Sequence, residues 1–136
     1  MLIQISIDPK AVQSCRFSRR GHRYHGKRAK QYKDTLARAL ESERLHLQPG
    51  VWPVRVDGPV VVECEFLFHK KLKKAEWRRP KKTRPDLDNL WKPLGDALQH
   101  AGYVKDDGQI VELKLSKAYT SGPSHILLFI APEAIT

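Results

Sequence analysis

The stretch Val60-Val61-Val62-Glu63-Cys64-Glu65-Phe66-Leu67-Phe68 decides the fold of this 136-residue chain. Val60, Val62, Cys64, Phe66 and Phe68 fall on one side and the two glutamates on the other, which is the period-two pattern of a strand with one buried face. Gly58-Pro59 precede the stretch and open the strand. A sheet is therefore expected at the centre of the molecule.

Three further segments predict strands that complete this sheet. Isoleucines alternate with polar residues over 3–7, and apolar residues alternate with charged ones over 111–115. Residues 126–130 are apolar on both faces, which favours an interior strand that is covered on both sides or by a partner subunit.

Two segments have helical spacing. The first apolar stripe ends before Pro49-Gly50, and the second ends at Gly102. The stripes consist of Tyr32, Leu36, Ala39 and Leu40, and of Leu87, Leu90, Trp91, Leu94, Leu98 and Ala101. The order of elements predicts one α/β (α+β) domain over residues 1–136, with a small mixed sheet of about four strands and two main helices.

Composition limits the function. The formal net charge is +10 and the pI is about 9.8, which predicts attraction to polyanions. Nucleic acid is favoured over membrane because no long apolar run exists, and the opening residues do not have the pattern of a signal peptide. Cys15 and Cys64 form no Cys-x-x-Cys motif, so a disulfide framework and a standard zinc site are both disfavoured. We expect a cytoplasmic, nucleoid-associated protein.

Much of the positive charge lies in two segments, 16–33 and 70–84, which contain eight and nine lysines or arginines. Few aliphatic residues accompany them, so we expect mobile surface loops that contact the DNA backbone. The aromatic residues among them, Phe17, Tyr24 and Trp77, are candidates to stack on exposed bases. The predicted DNA-binding residues are Arg16, Arg19, Arg20, Arg23, Lys27, Lys70, Lys71, Lys73, Lys74, Arg78, Arg79 and Arg84.

Four aspartates stand in two tight groups in this basic chain, Asp86 with Asp88 and Asp106 with Asp107. The first two can share an ion only on non-helical backbone, because positions i and i+2 diverge on a helix. Asp88 is the expected N-cap of the second helix, which leaves Asp86 outside it. If the second group lies beside the first, the repulsion between carboxylates favours a bound cation such as Mg²⁺. The pattern predicts a metal-dependent nuclease.

Each of these residues also has a structural interpretation. Lys92 is placed to contact a scissile phosphate, but it equally suits an ion pair with Asp88 or Asp96 on the same helix. Asp88 alone suits a helix cap, and Asp106-Asp107-Gly108 alone suits a turn. Their spacing leaves these alternatives open.

The longer motif is more specific. Residues 84–90, then Lys92, Asp96-Ala97-Leu98, residues 106–111 and Lys117 resemble the RusA family of Holliday junction resolvases, found in bacteria and often encoded by prophages. The resemblance implies a small homodimer that cuts two opposing strands of a four-way DNA junction with Mg²⁺ or Mn²⁺. It implies that Asp86, Asp88 and Asp107 are the essential metal ligands, with Asp106 in support. It also implies that Lys92 is the essential lysine and that Lys117 belongs with the DNA-binding residues.

The leading hypothesis is a structure-selective endodeoxyribonuclease of DNA recombination and repair. The alternative from another class is a non-catalytic nucleic-acid-binding protein, in which the acidic residues only cap a helix and form a turn. A nuclease that prefers flaps or replication forks has the same site and differs only in its substrate.

Overall fold

The computed structural model of the chain describes residues 1–12, 16–17, 19–21, 23–24, 26–46, 57–73 and 78–133. Within these ranges the predicted order of helices and strands is confirmed, with a short hairpin added before the first helix. The elements are β1 (Leu2–Ile5), β2 (Arg16–Phe17), β3 (Arg23–Tyr24), α1 (Lys27–Leu45), β4 (Val60–His69), α2 (Leu87–His100), a 3₁₀ turn (Asp107–Gln109), β5 (Ile110–Thr120) and β6 (His125–Pro132).

The four longer strands form one mixed sheet in the order β1-β6-β4-β5. Strand β6 is antiparallel to both of its neighbours, whereas β5 is parallel to β4. A parallel pair requires a crossover connection, and α2 lies in the connection between β4 and β5. The α+β fold with a mixed sheet is confirmed.

One face of the sheet forms the core with the two helices, which also pack against each other. This face contains the predicted side of β4, and the buried stripe of α2 includes Leu90, Leu94 and Leu98. The sheet supplies Val60, Val62, Cys64, Phe66, Ile126, Leu128 and Ile130, all at most 3% exposed. No described helix is long and apolar enough to cross a membrane.

Helix α1 begins at Lys27, within the segment that was predicted to be a loop. Lysine, arginine and glutamine are good helix formers, and their exposed charges do not need burial, so the helix extends ahead of its apolar stripe. The prediction of a loop throughout 16–33 is therefore wrong, because residues 27–33 are helical. The same segment also contains the hairpin of β2 and β3. Gly21, between the two strands, has a φ of 79°, which suits glycine.

Helix α2 begins at Leu87, so the prediction that Asp88 is its N-cap is wrong. Asp86 occupies the cap position with extended backbone, and Asp88 lies in the first turn. Leu87 packs partly buried against the core, which draws the first turn forward.

Pro93 lies inside α2 and is buried. Because proline has no backbone N–H, the carbonyl oxygen of Asn89 lacks its usual helical donor. This oxygen accepts instead from the backbone N–H of Val12, 3.0 Å away. The loop after β1 therefore supplies the hydrogen-bond donor that α2 lacks.

Strand β5 is the last strand of the sheet, and its outer edge is partly covered by residues 79–81. Lys81 N–H donates to the Lys117 oxygen at 3.1 Å, and Tyr119 N–H donates to the Arg79 oxygen at 3.0 Å. These bonds attach residues 79–81, which have little apolar area of their own to bury, to the sheet. The predicted mobility of 70–84 stays a prediction, and residues 74–77 lie outside the described ranges.

Strand β6 lies between β1 and β4, which confirms the predicted interior strand. The described helices cover one of its faces. On the other face Leu127 is half-buried and Phe129 is 40% exposed, while Leu2 on β1 is 69% exposed. The register places Leu2 opposite Phe129.

Candidate active site

The first acidic pair lies at the start of α2. The side chain of Asp86 makes no capping hydrogen bond with the helix, although the residue occupies the cap position. Asp86 and Asp88 are both exposed. Both lie at the positive end of the helix dipole, which stabilises carboxylates and leaves their oxygens available to a ligand.

Lys117 of β5 holds the backbone that leads to Asp86. Its ammonium donates to the carbonyl oxygens of Thr83 and Pro85, each at 2.7 Å. Lys117 is half-buried, and these bonds use two of its three donors. The residue was predicted to bind DNA; the structure shows it joined to the main chain beside the acids.

Lys92 is exposed one helical turn after Asp88. Its ammonium lies 3.4 Å from the side-chain oxygen of Asn89. Asp96, one of its two predicted partners, pairs with Lys33 of α1 at 2.9 Å. The Lys92 ammonium therefore lies at the surface on the side of α2 that carries Asp88.

The second acidic pair lies in the 3₁₀ turn before β5. Asp106 accepts the backbone N–H of Gly108 at 3.3 Å, and the Gln109 oxygen accepts the N–H of Asp106 at 3.3 Å, so the two side chains form a capping box. The Gln109 amide also donates to the Gly58 oxygen at 2.9 Å. The turn is thus fixed to the residues that precede β4.

The carboxyl groups of Asp106 and Asp107 share a hydrogen bond that moves their pKa values in opposite directions. The bond from Asp107, followed by the N–H of Gly108, lowers the pKa of Asp106. The same bond, followed by the charge of Asp106 and more weakly that of Asp96, raises the pKa of Asp107. Asp106 therefore ionises first, and Asp107 lies in the negative field of Asp106, which a bound cation would offset.

The two acidic pairs lie on neighbouring elements. Helix α2 contacts the 3₁₀ turn, which confirms that these elements are neighbours. However, the described part of the chain has no group of three or more His, Cys, Asp or Glu side chains placed to hold a metal ion. The three predicted ligands Asp86, Asp88 and Asp107 therefore do not form a single preformed metal site.

The predicted DNA-binding residues occupy several parts of the surface. Arg19 and Arg20 lie exposed between β2 and β3, and Lys27 lies in the first turn of α1. Arg78 pairs with Glu65 at 3.3 Å. Lys74 lies outside the described residues, and the backbones of Arg16 and Arg23 lie in the hairpin. The remaining members follow β4 or precede α2: Lys70, Lys71, Lys73, Arg79 and Arg84.

Sequence reasoning missed the aromatic residues among these cations. Phe68 and Tyr119 are paired in register on β4 and β5 and therefore lie on the same face of the sheet. Lys81 lies 5.3 Å from the Phe68 ring centre and 5.2 Å from that of Tyr119. The alternation of Leu115, Lys117 and Tyr119 was the available signal.

The chain is similar to a known protein family and to several known proteins. The family described as Endodeoxyribonuclease RusA matches residues 6–130. A crossover junction endodeoxyribonuclease of Escherichia coli is 30% identical over 98 residues, covering 72% of this chain and 67% of that protein. One from Lactococcus phage r1t is 42% identical over 59 residues, covering 43% and 44%. An uncharacterized Bacillus subtilis protein, YqaN, is 36% identical over 94 residues, covering 69% and 66%. The match spans less than two thirds of the phage and Bacillus proteins.

Proposed function

Because the chain belongs to the RusA family of endodeoxyribonucleases, we propose that it is a metal-dependent enzyme that resolves four-way DNA junctions by nicking opposing strands. The observation that carries the proposal is that the family match includes both acidic pairs and Lys92 within residues 6–130. The names of the Escherichia coli and phage relatives support a crossover junction as the substrate. The phage relative also supports a prophage origin, and we expect the chain to act on DNA of the nucleoid.

Asp86, Asp88 and Asp107 would hold Mg²⁺, with Mn²⁺ as the alternative, because hard cations prefer carboxylate oxygens. The metal would supply an activated water and would neutralise charge on the phosphodiester. The two exposed acids of α2 and the raised pKa of Asp107 fit such an ion. Asp106 already uses an oxygen to cap the turn, which suits a supporting role.

Lys92 would stabilise the charge that develops on the phosphate during cleavage. Its ammonium is exposed, and its side chain lies on the same side of α2 as that of Asp88. The basic residues around the two acidic pairs would hold the DNA strand by its backbone.

The test is cleavage of a labelled synthetic four-way junction and a matched duplex, with and without Mg²⁺. Wild type should cut the junction only with metal, and Asp86→Asn should abolish cutting while junction binding remains. Asp34→Asn removes an exposed acid from α1 and should cut normally. Undiminished cutting by Asp86→Asn rejects the site.

The alternatives give different results in the same assay. A non-catalytic binder retains DNA in a salt-sensitive manner and gives no metal-dependent product. A nuclease for flaps or forks cuts those substrates faster than the four-way junction. Including both branched substrates beside the junction therefore decides between the three hypotheses.

We further propose that the active form is a homodimer, since two sites related by a two-fold axis suit two opposing strands. The face of the sheet opposite the two helices is the candidate contact. Leu2 and Phe129 are exposed there, and Glu63 and Lys114, which are paired in register, offer opposite charges to a second copy. Phe129→Glu should convert the dimer to a monomer in sedimentation equilibrium, whereas Leu45→Glu, at the exposed end of α1, should not.

A further inference from the structure

An open cavity of about 550 Å³ lies at the edge of the sheet beside the segment that leads to Asp86. Tyr119 of β5 and Thr83 both line it. None of the lining residues within the described part of the chain is acidic: they are Lys70, Arg79, Pro80, Lys82, Thr83 and Tyr119.

Among the described residues, three cations surround the Tyr119 ring. The ammonium of Lys70 lies 4.7 Å from the ring centre, that of Lys81 lies 5.2 Å away, and the guanidinium carbon of Arg79 lies 5.6 Å away. These distances are in the range of cation–π attraction. A stacked base would have to compete with these cations for the ring faces, so the ring is poorly placed to bind one.

The arrangement concentrates positive charge. Like charges repel, and the cation–π contacts offset this only in part. Lys81 donates to the Thr83 hydroxyl at 2.6 Å. A hydrogen bond with Thr83, followed by the charges of Lys81 and Lys70, lowers the pKa of Tyr119, so the local field at the phenol favours an anion.

We propose that this cavity binds a backbone phosphate of the DNA strand that is cut, a few nucleotides from the bond at the Asp86 site. Thr83 lines the cavity and precedes Asp86 by three residues, a separation of at most about 11 Å along the chain. Lys117 fixes this short segment by bonding the Thr83 and Pro85 oxygens. The phosphate would therefore set the position of the strand relative to the acids.

The inference rests on the proposed function, and its test is a binding measurement that needs no cleavage. Junctions that each carry one neutral methylphosphonate, stepped along the strand, are titrated with protein in EDTA. Wild type should lose affinity at one or two positions near the cleavage point, by roughly three- to fivefold. The affinity of Lys70→Gln should not change when the methylphosphonate is at those positions. A plot of the logarithm of its association constant against the logarithm of salt concentration should have a slope smaller in magnitude by about one.

Two matched variants complete the design. Arg38→Gln removes one exposed charge from α1 and should keep the wild-type methylphosphonate pattern. Tyr119→Phe keeps the ring and the cations but loses the hydroxyl, so it should keep the sensitive position with a smaller effect. Circular dichroism confirms that each variant is folded.

The same methylphosphonate pattern and salt slope in Lys70→Gln as in wild type would overturn the inference. So would competition by inorganic phosphate that depends on Lys70 without any sensitive position, because the cavity would then serve a free anion. If the pattern is found but wild type does not cut, the proposed function fails and the phosphate site remains. If Asp86→Asn behaves as proposed and the pattern is absent, only the phosphate site fails.

Discussion

The ammonium of Lys117 lies 2.7 Å from the carbonyl oxygen of Pro85, the residue directly before Asp86. Lys117 belongs to β5, which begins immediately after the turn that carries Asp107. One strand therefore connects both acidic pairs: its start follows the second pair, and a side chain farther along it holds the first. The acids at the start of α2 depend on β5 for their position.

We predict that Lys117→Met raises the metal concentration needed for half-maximal cleavage by roughly 10- to 100-fold, as is typical when a group that orients metal ligands is removed. The two carbonyl oxygens lose their donor, so the backbone before Asp86 is less well fixed. The measurement is cleavage rate against Mg²⁺ concentration for the junction.

Lys117→Arg should recover part of the metal affinity, because the guanidinium can still donate to a carbonyl oxygen. Lys30→Met, an exposed lysine of α1, is the matched control and should titrate like wild type. If Lys117→Met weakens DNA binding in EDTA but leaves the metal titration unchanged, the residue is a DNA contact and not a positioning residue.

The two acids of the 3₁₀ turn should respond differently to substitution. Asp106→Ala removes the acceptor of the Gly108 N–H and should lower the thermal midpoint, whereas Asp106→Asn keeps an acceptor and should lower it less. Asp107→Asn removes the charge that Asp106 and Asp96 repel, so the folded chain should be at least as stable while cleavage is lost. Thermal unfolding and junction cleavage of the three variants provide the comparison. A large loss of stability in Asp107→Asn would contradict this division of roles.

The fold was largely readable from side-chain periodicity. Alternation in β4 and the stripe of α2 placed the core correctly because burial repeats along a regular element. The start of α1 was missed because exposed lysines and arginines form helix without an apolar signal. The sequence pattern also did not predict that Val111 is exposed. A bulge in the pairing of β4 with β5 makes Val111 an extra residue at the edge of the sheet.

The sequence selects candidate site residues by type, but it does not give their geometry. The sequence motif selects Asp86, Asp88 and Asp107, yet it does not specify that Asp106 would be used in a cap or that Lys117 would bond main-chain oxygens. Such contacts join residues far apart in the chain, and they follow from the strand register and not from local pattern.

The Val12 amide should be protected from hydrogen exchange although it lies in no helix or strand. Its N–H donates to the Asn89 oxygen, which is available because Pro93 has no N–H of its own. Amide exchange followed by nuclear magnetic resonance should show slow exchange at Val12 and fast exchange at its exposed neighbour Ala11. Equally fast exchange at both would show that α2 does not hold this loop.

Tyr103 should make stability fall at alkaline pH. Its hydroxyl donates to the Leu40 oxygen at 2.7 Å, and burial, followed by the charge of Glu43, raises its pKa to about 12. Because the folded pKa is above the ordinary value of about 10, the stability that the neutral phenol contributes is complete below pH 10 and is lost as pH rises toward 12.

Tyr103→Phe should lower the free energy of unfolding by about 1 kcal/mol at pH 8. It should also reduce the fall of that free energy between pH 10 and 12 by about 1.4 kcal/mol per pH unit at most. Urea unfolding at several pH values measures both. Tyr119→Phe is the control of opposite sign: the pKa of Tyr119 is lowered, so its removal should take away a gain in stability as pH rises toward about 10 and should leave the slope between pH 10 and 12 unchanged. An unchanged slope in Tyr103→Phe would mean that the phenol ionises without leaving the core.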